Sequence, residues 1–457
     1  MSATQAFSAA ALARTLAWRD GAPITLAQCV AEAASFAEQL PAQGQPVNLC
    51  SDRYLFTLAL LAAILRGQTS LMPPNAMPHT LHQLGDPARP AYALIDDPAQ
   101  DTGGMPSFVV ARPPVGGSDA TLQVDAQQWV ACLLTSGSTG VPQPQRKRWD
   151  ALQASIDAEA RSLCMLLERP SIAGLNIVAT VPPQHSYGFE SSVLLALLGG
   201  AAFDAGRPFY PADIAEALAR LPRPRALVTT PVHLKALLLS GAALPEVDLV
   251  LSATAPLSPQ LALQTEARMG GRLIEIYGCT EAGQVAARRT TASDVWTTLA
   301  GLRVAREAND DGERFLVSGG HVLEPTPLAD QLELLDTQRF RLLGRANDLI
   351  HVAGKRSSLA HLNFHLNRID GVEDGAFWLP DDVTDGVVRL VAFVVAPTLS
   401  ARQISAALRP LVESAFLPRR VVHVDALPRG ATGKITAQEL REFALQTLAQ
   451  AGRRKGR

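Results

Sequence analysis

Apolar residues along this chain follow two rhythms. Some runs are short and continuously apolar, as at Trp129–Val130–Ala131–Cys132–Leu133–Leu134, which predicts a buried strand. Others recur at spacings of three and four, as at Leu152, Ile156, Ala160, Leu163 and Leu167, which predicts an amphipathic helix. From residue 129 onward the two alternate. Strands are predicted at Ile177–Val181, Ala226–Thr229, Val247–Leu251 and Arg272–Ile276, and helices at Ser191–Leu198, Val232–Leu239 and Pro259–Met269. That alternation implies a mainly parallel sheet with crossover helices. Upstream, Ala31–Leu40 and Phe56–Leu65 have helical spacing and Ala91–Ile95 reads as a strand, with Pro- and Gly-rich spacers at Pro73–Pro78 and Arg112–Gly117.

The rhythm changes after about Arg345. Helices are predicted at Leu359–Arg368, Ile404–Leu411 and Ala437–Leu448, and strands at Gly375–Leu379, Leu390–Val395 and Val421–Val424. This is a compact α+β unit of ordinary domain size. The expected fold class is α/β, with a large N-terminal multi-sheet α/β domain over residues 1–344 and a small C-terminal α+β domain over residues 345–457.

At 457 residues, 47% of them hydrophobic, the chain can bury the cores of two or three domains. A formal charge of −2 gives no basic field for nucleic acid. The basic run Arg453–Arg454–Lys455–Gly456–Arg457 reads as a solvated, frayed tail. Apolar stretches such as Phe56–Leu65 are too short to span a bilayer. Five scattered cysteines without metal or redox spacing, and an N-terminus unlike a signal peptide, lead us to expect a cytoplasmic protein. Only five of the 41 basic residues are lysines: Lys147, Lys235, Lys355, Lys434 and Lys455. A lysine that persists against such a skew either marks a place where a compact, mobile ammonium is useful or stands there by chance.

The most informative segment is Thr135–Ser136–Gly137–Ser138–Thr139–Gly140, which follows the apolar strand. Backbone N–H groups of a glycine-rich loop can turn inward as an anion nest, and the hydroxyls add donors for phosphate. A flexible linker is the plain alternative. No Gly-Lys-Ser/Thr follows, so it is not a Walker loop. Four more segments come after it in order: Pro183–Gln184–His185–Ser186–Tyr187–Gly188; Tyr277–Gly278–Cys279–Thr280–Glu281; Gly344–Arg345 through Asp348 to Gly354–Lys355–Arg356; and Leu427–Pro428–Arg429–Gly430–Ala431–Thr432–Gly433–Lys434.

This ordered set resembles the adenylate-forming superfamily of acyl- and aryl-CoA synthetases, peptide-synthetase adenylation domains and luciferases. The resemblance implies a large body and a small mobile C-terminal lid, which agrees with the break near Arg345. It implies that Thr135–Gly140 holds the β- and γ-phosphates of ATP, that Tyr277 stacks on adenine with Gly278 beside it among the nucleotide-binding residues, and that Thr280 contacts the α-phosphate. Glu281 would hold Mg²⁺, Asp330 and Arg345 the ribose, and Ser252–Leu257 would line the adenine and acyl sites. Lys434 would bridge the substrate carboxylate and the α-phosphate. His185 would face the carboxylate, unless it is a core or capping histidine. Hinge motion at Asn347–Asp348 would bring Gly354–Lys355–Arg356 to a pantetheine arm.

The implied activity is activation of a small carboxylic acid to an acyl-adenylate, then transfer to coenzyme A or to the phosphopantetheine of an acyl carrier protein. The pattern Asp52–Arg53–Tyr54–Leu55–Phe56 with Arg66–Gly67–Gln68 further resembles stand-alone ligases of aryl polyene and xanthomonadin-type pigment clusters. That implies an aryl or hydroxyaryl acid, with Tyr187, His185 or His233 meeting the ring. Two departures stand out. Relatives usually carry Lys where this chain has Gln143, so either Arg146, Lys147 or Arg148 takes over the contact or pyrophosphate is held more loosely, and a non-catalytic adenylate-binding or scaffold protein is the rival reading. Only 48 residues separate Glu281 from Asp330, which suggests a trimmed peripheral sheet. His361 and His365, four apart on a predicted helix, read as surface or packing residues rather than a metal face.

Overall fold

The computed structural model describes residues 4–82, 84, 90–112, 122–136, 142–309, 312–345, 349–352, 355–380, 390–429 and 435–455. Among them the largest sheet has eleven strands. At its centre Leu249–Ser252, Arg225–Thr229, Asn176–Ala179 and Ala202–Asp204 run parallel, and their apolar residues are almost entirely buried. Continuous apolar runs suit strands covered on both faces. Arg272–Cys279 joins them in parallel, and the antiparallel strands Gly283–Arg288, Trp296–Thr298, Arg339–Arg345 and Asp330–Leu334 extend that side. On the other side Thr15–Arg19 and Ala22–Thr25, strands without a clear sequence signal, complete the sheet.

A second sheet has the order Pro142–Arg148, Trp129–Ser136, Ser70–Met72, Gln45–Asn48, Ala91–Ile95, Ser107–Val109. Its outer strand, Pro142–Arg148, is polar throughout. An edge strand tolerates Pro and charge because one side of its backbone faces solvent. Helix Arg53–Leu65, longer than its predicted core, is buried along nearly its whole length. The Asp52 carboxylate caps it by accepting from the Leu55 N–H at 2.9 Å. Arg53, wholly buried, donates to Ser192 Oγ at 2.7 Å and to the carbonyls of Ala179 and Val181 at 3.0 Å. The Asp-Arg-Tyr-Leu-Phe pattern is thus a joint between this helix and the end of a central strand.

Helix Pro259–Met269 has the predicted bounds, because Ser258 caps it, proline opens it and Gly270 closes it in the left-handed region. The predicted helix Ser191–Leu198 is different. The helical run starts at Ser186, and Phe189–Leu194 within it is π-helical. Between Glu281 and Asp330 the chain builds the two strands Gly283–Arg288 and Trp296–Thr298, then a separate antiparallel sheet of Leu302–Asn309, Gly312–Gly319 and Val322–Leu328.

Beyond Arg345, Asp374–Trp378, Val391–Val395 and Arg420–His423 form a small sheet with helices Leu359–Asn367, Ala401–Leu408 and Ala437–Lys455. These elements pack into apolar clusters of their own. Lys235 donates to the Val372 carbonyl and Gln260 to the Asp370 carboxylate, so this unit rests on two helices of the large sheet. The last helix continues through Lys455, so Arg453–Lys455 are helical rather than a frayed tail; its Ala, Leu, Gln and Arg content favours that state. No helix among the described residues is long and apolar enough to cross a membrane.

Candidate active site

Strands Arg272–Cys279 and Gly283–Arg288 form a hairpin whose turn carries Thr280 and Glu281. Gly278 lets the two strands approach: a Cβ there would lie 2.3 Å from the Gly283 carbonyl oxygen. Thr280 is half-buried and Glu281 is exposed. The Tyr277 ring packs against Trp296 and Phe340, with both centroid distances 5.7 Å. Its hydroxyl donates to Asp330 Oδ2 at 2.8 Å. Asp330 pairs in register with Arg345 on the neighbouring strand. Tyr277, Trp296, Asp330 and Phe340, widely separated in sequence, therefore meet on one side of the large sheet.

Of the three cations weighed against Gln143, one reaches this turn. Lys147 Nζ donates to the Glu281 carbonyl at 3.2 Å. Arg148 is held by Asp150 through two bonds of 2.7 and 2.8 Å. Arg146 lies on the opposite strand face with Pro144, lining a separate cleft beside Cys132 and Leu134.

A small cleft lies at the ends of the central strands, lined by Val181, Pro182, His185, Tyr187, Gly188, Thr230, His233 and Thr254. His185, Tyr187 and His233, expected at a substrate ring, share it. Gly188 is obligatory, since a Cβ would sit 2.0 Å from the Pro182 carbonyl oxygen. The Nδ1 of His233 contacts Thr180 Oγ1 at 3.1 Å and Thr230 Oγ1 at 3.2 Å, and burial lowers the pKa of its ring. Phe209 meets that ring edge-on at 5.2 Å. Thr254, within the Ser252–Leu257 stretch, adopts φ 79°, a strained conformation for a β-branched residue.

Sequence reasoning missed the buried network that joins this cleft to the turn. Glu190, on the π-helical segment, accepts from Ser186 Oγ at 2.7 Å and from the Gln284 N–H at 3.2 Å. One carboxylate thus ties the His185–Gly188 turn to the strand after Glu281. Burial raises the Glu190 pKa, and the Lys147 ammonium opposes that rise. Ser191 donates to Glu159 at 2.8 Å, and Gln284 donates to Ser191 at 3.0 Å. Burial pushes Glu159 up to about 8 and, with help from the Lys147 charge, His321 down to about 4. Cys279, beside Thr280, is likewise pushed up to about 11 by burial. Only a π-helical register presents Glu190 in this way, and no sequence pattern marks it.

Gly137–Gly140, Asn347–Asp348, Gly354 and Lys434 lie outside the described residues, as do the side chains of Thr135, Ser136, Arg345, Lys355, Arg356 and His361. Ser136 ends its strand, and Gln143 stands opposite Thr135 on the neighbouring one. His365 packs edge-on against Phe364 at 5.3 Å.

A family model described as AMP-binding enzyme matches residues 6–309. The chain belongs to the AMP-binding enzyme family. This AMP-binding enzyme is 32% identical over 308 residues to a 4-coumarate–CoA ligase of Rhodobacter capsulatus, a match covering 66% of this chain and 74% of the relative. It is 22% identical over 495 residues to a 4-chlorobenzoate–CoA ligase of Pseudomonas sp., covering 92% and 88%. Its fold is that of ATP-bound MatB from Rhodopseudomonas palustris, with TM-score 0.77 and 19% identity over 94% of this chain and 96% of that one. It also matches MenE from Bacillus subtilis in complex with AMP, with TM-score 0.77 and 18% identity over 94% and 95%.

Proposed function

We propose that this AMP-binding enzyme is an AMP-forming acid–thiol ligase. A substrate carboxylate oxygen attacks the α-phosphorus of ATP, the bond to the β-phosphate breaks, and pyrophosphate leaves with the bonding electrons. A thiol then displaces AMP from the acyl-adenylate. The observation that carries this reading is the coupling of two half-sites. The Tyr277–Asp330 pair and the Glu281 turn suit a nucleotide, and through Glu190 they are bonded to a cleft lined by His185, Tyr187 and His233.

In this reading Asp330 and Arg345 bind the ribose, Thr280 the α-phosphate, and the Thr135–Gly140 loop the outer phosphates. The exposed Glu281 carboxylate is a hard oxygen ligand and fits Mg²⁺, which neutralises phosphate charge when bound. Residues 345–457 act as a lid over the body, residues 1–344, and bring Lys434 to the reacting carboxylate. The aromatic lining of the cleft, together with aryl-acid ligases among the relatives, supports an aryl or hydroxyaryl acid. Coenzyme A and the phosphopantetheine of a carrier protein are both chemically adequate acceptors.

The test is ATP-dependent pyrophosphate release across a panel of aryl and fatty acids, comparing wild type with Lys434→Ala, with and without coenzyme A or a holo carrier protein. Release that depends on Lys434 and on an aryl acid is expected. Nucleotide binding without release for any acid would turn the reading into a non-catalytic adenylate-binding protein.

A further inference from the structure

The strand Pro142–Arg148 follows the glycine-rich segment in sequence and carries a neutral glutamine, Gln143, where the family resemblance implies a lysine. Its later residues are not equivalent substitutes. In the antiparallel register Gln143 faces Thr135, Gln145 faces Leu133 and Lys147 faces Ala131. Leu133 and Ala131 belong to the main core, whereas Cys132 and Leu134 belong to a separate small cluster. Side chains alternate along a strand, so Lys147 shares its face with Gln143 and Arg146 does not. Arg148 comes after a register shift and is forked onto Asp150.

We propose that Lys147 is the cation of the pyrophosphate subsite, delivered four residues later along the strand than the position occupied by Gln143. This rests on the adenylation reading above. The surroundings of Lys147 support this. The ammonium already touches the backbone of the Glu281 turn, at 3.2 Å. Its field also reaches the buried Glu190 carboxyl and favours that group's charged form, against the burial that disfavours it. His321, also within that field, is buried against Gly283, where a neutral ring adds no competing charge. A compact ammonium on a four-carbon stem can swing from a carbonyl to a phosphate oxygen as the leaving group gains charge. The groups it touches or whose charge it influences are therefore the Glu281 turn, Glu190, Cys279 and His321.

The experiment is calorimetric titration of the full-length protein with magnesium pyrophosphate and, separately, with AMP. The variants are Lys147→Ala, Lys147→Arg, Arg146→Ala and the double variant Gln143→Lys/Lys147→Ala. Loss of one charge-assisted contact predicts pyrophosphate binding weakened about ten- to a hundred-fold in Lys147→Ala, with AMP binding held within about two-fold. Lys147→Arg retains most of the affinity, Arg146→Ala all of it, and Gln143→Lys restores much of what Lys147→Ala loses. Unchanged pyrophosphate binding in Lys147→Ala overturns the proposal, and so does an equal loss of AMP and pyrophosphate. Wild-type protein that binds neither ligand overturns the adenylation reading and this proposal together, which separates the two failures.

Discussion

The phenol of Tyr277 donates to the carboxylate of Asp330 across the edge of the large sheet, at 2.8 Å. The bond fixes an aromatic ring and an anionic acceptor relative to each other before any nucleotide arrives, which lowers the ordering cost of binding. Tyr277→Phe removes the donor and keeps the ring. ATP affinity is expected to fall about ten-fold, the weight of one hydrogen bond to a charged group, with little change in melting temperature. Calorimetry with ATP checks this, and unchanged affinity would show that Asp330 needs no such orientation.

Gly278→Ala tests the hairpin that presents Glu281. The new methyl would meet the Gly283 carbonyl at 2.3 Å, and the backbone must move to admit it. A stability loss of about 1–3 kcal/mol is expected, as for other forced overpacking. Activity should fall further than stability accounts for, because the displaced strand carries Thr280 and Glu281. Urea unfolding and pyrophosphate release on the same preparation separate the two effects.

Arg53→Met replaces a buried guanidinium by an apolar chain of similar length. It leaves the carbonyls of Ala179 and Val181 without this donor beneath the acid cleft. About 3 kcal/mol of destabilisation is expected from groups left buried and unsatisfied. A urea midpoint equal to that of wild type would contradict the assigned joint.

Stability should also depend on pH through Glu159. Burial pushes its pKa from the ordinary 4.5 up to about 8 in the folded protein, while the hydrogen bonds from Ser191 and Gln284 pull the other way. Between those values the folded state holds a proton that the unfolded chain has released. Its contribution is therefore full below pH 4.5 and is lost as pH rises through 8. Glu159→Gln keeps the shape without the titration, so it should flatten the decline. Urea midpoints from pH 4.5 to 8.5 for both proteins give the comparison; parallel slopes would exclude Glu159 as the source.

Local signals located much of this molecule. Helix Pro259–Met269 was legible because its cap, opening proline and closing glycine are all local. The family was equally legible from the order of the motifs, and the AMP-binding enzyme model matches residues 6–309. Features that depend on pairing were not. Thr15–Arg19 gains its meaning from Phe203 and Asp204, far along the chain. Polar Pro142–Arg148 is a strand only because Trp129–Ser136 lies beside it, and that register alone separates Lys147 from Arg146. Glu190 stood just outside the predicted helix Ser191–Leu198, and Arg53 stood out only within the Asp52–Phe56 pattern, yet both are buried at the joints of the site.

The burial of Cys279 has a chemical consequence. In the proposed reaction an activated acyl group is delivered to a thiol, and the chain carries a thiol of its own next to Thr280. Acylation of that sulfur would end turnover. With its pKa pushed up to about 11, Cys279 stays protonated at neutral pH and is a poor nucleophile. In that reaction the incoming acceptor, rather than Cys279, would be the reactive sulfur.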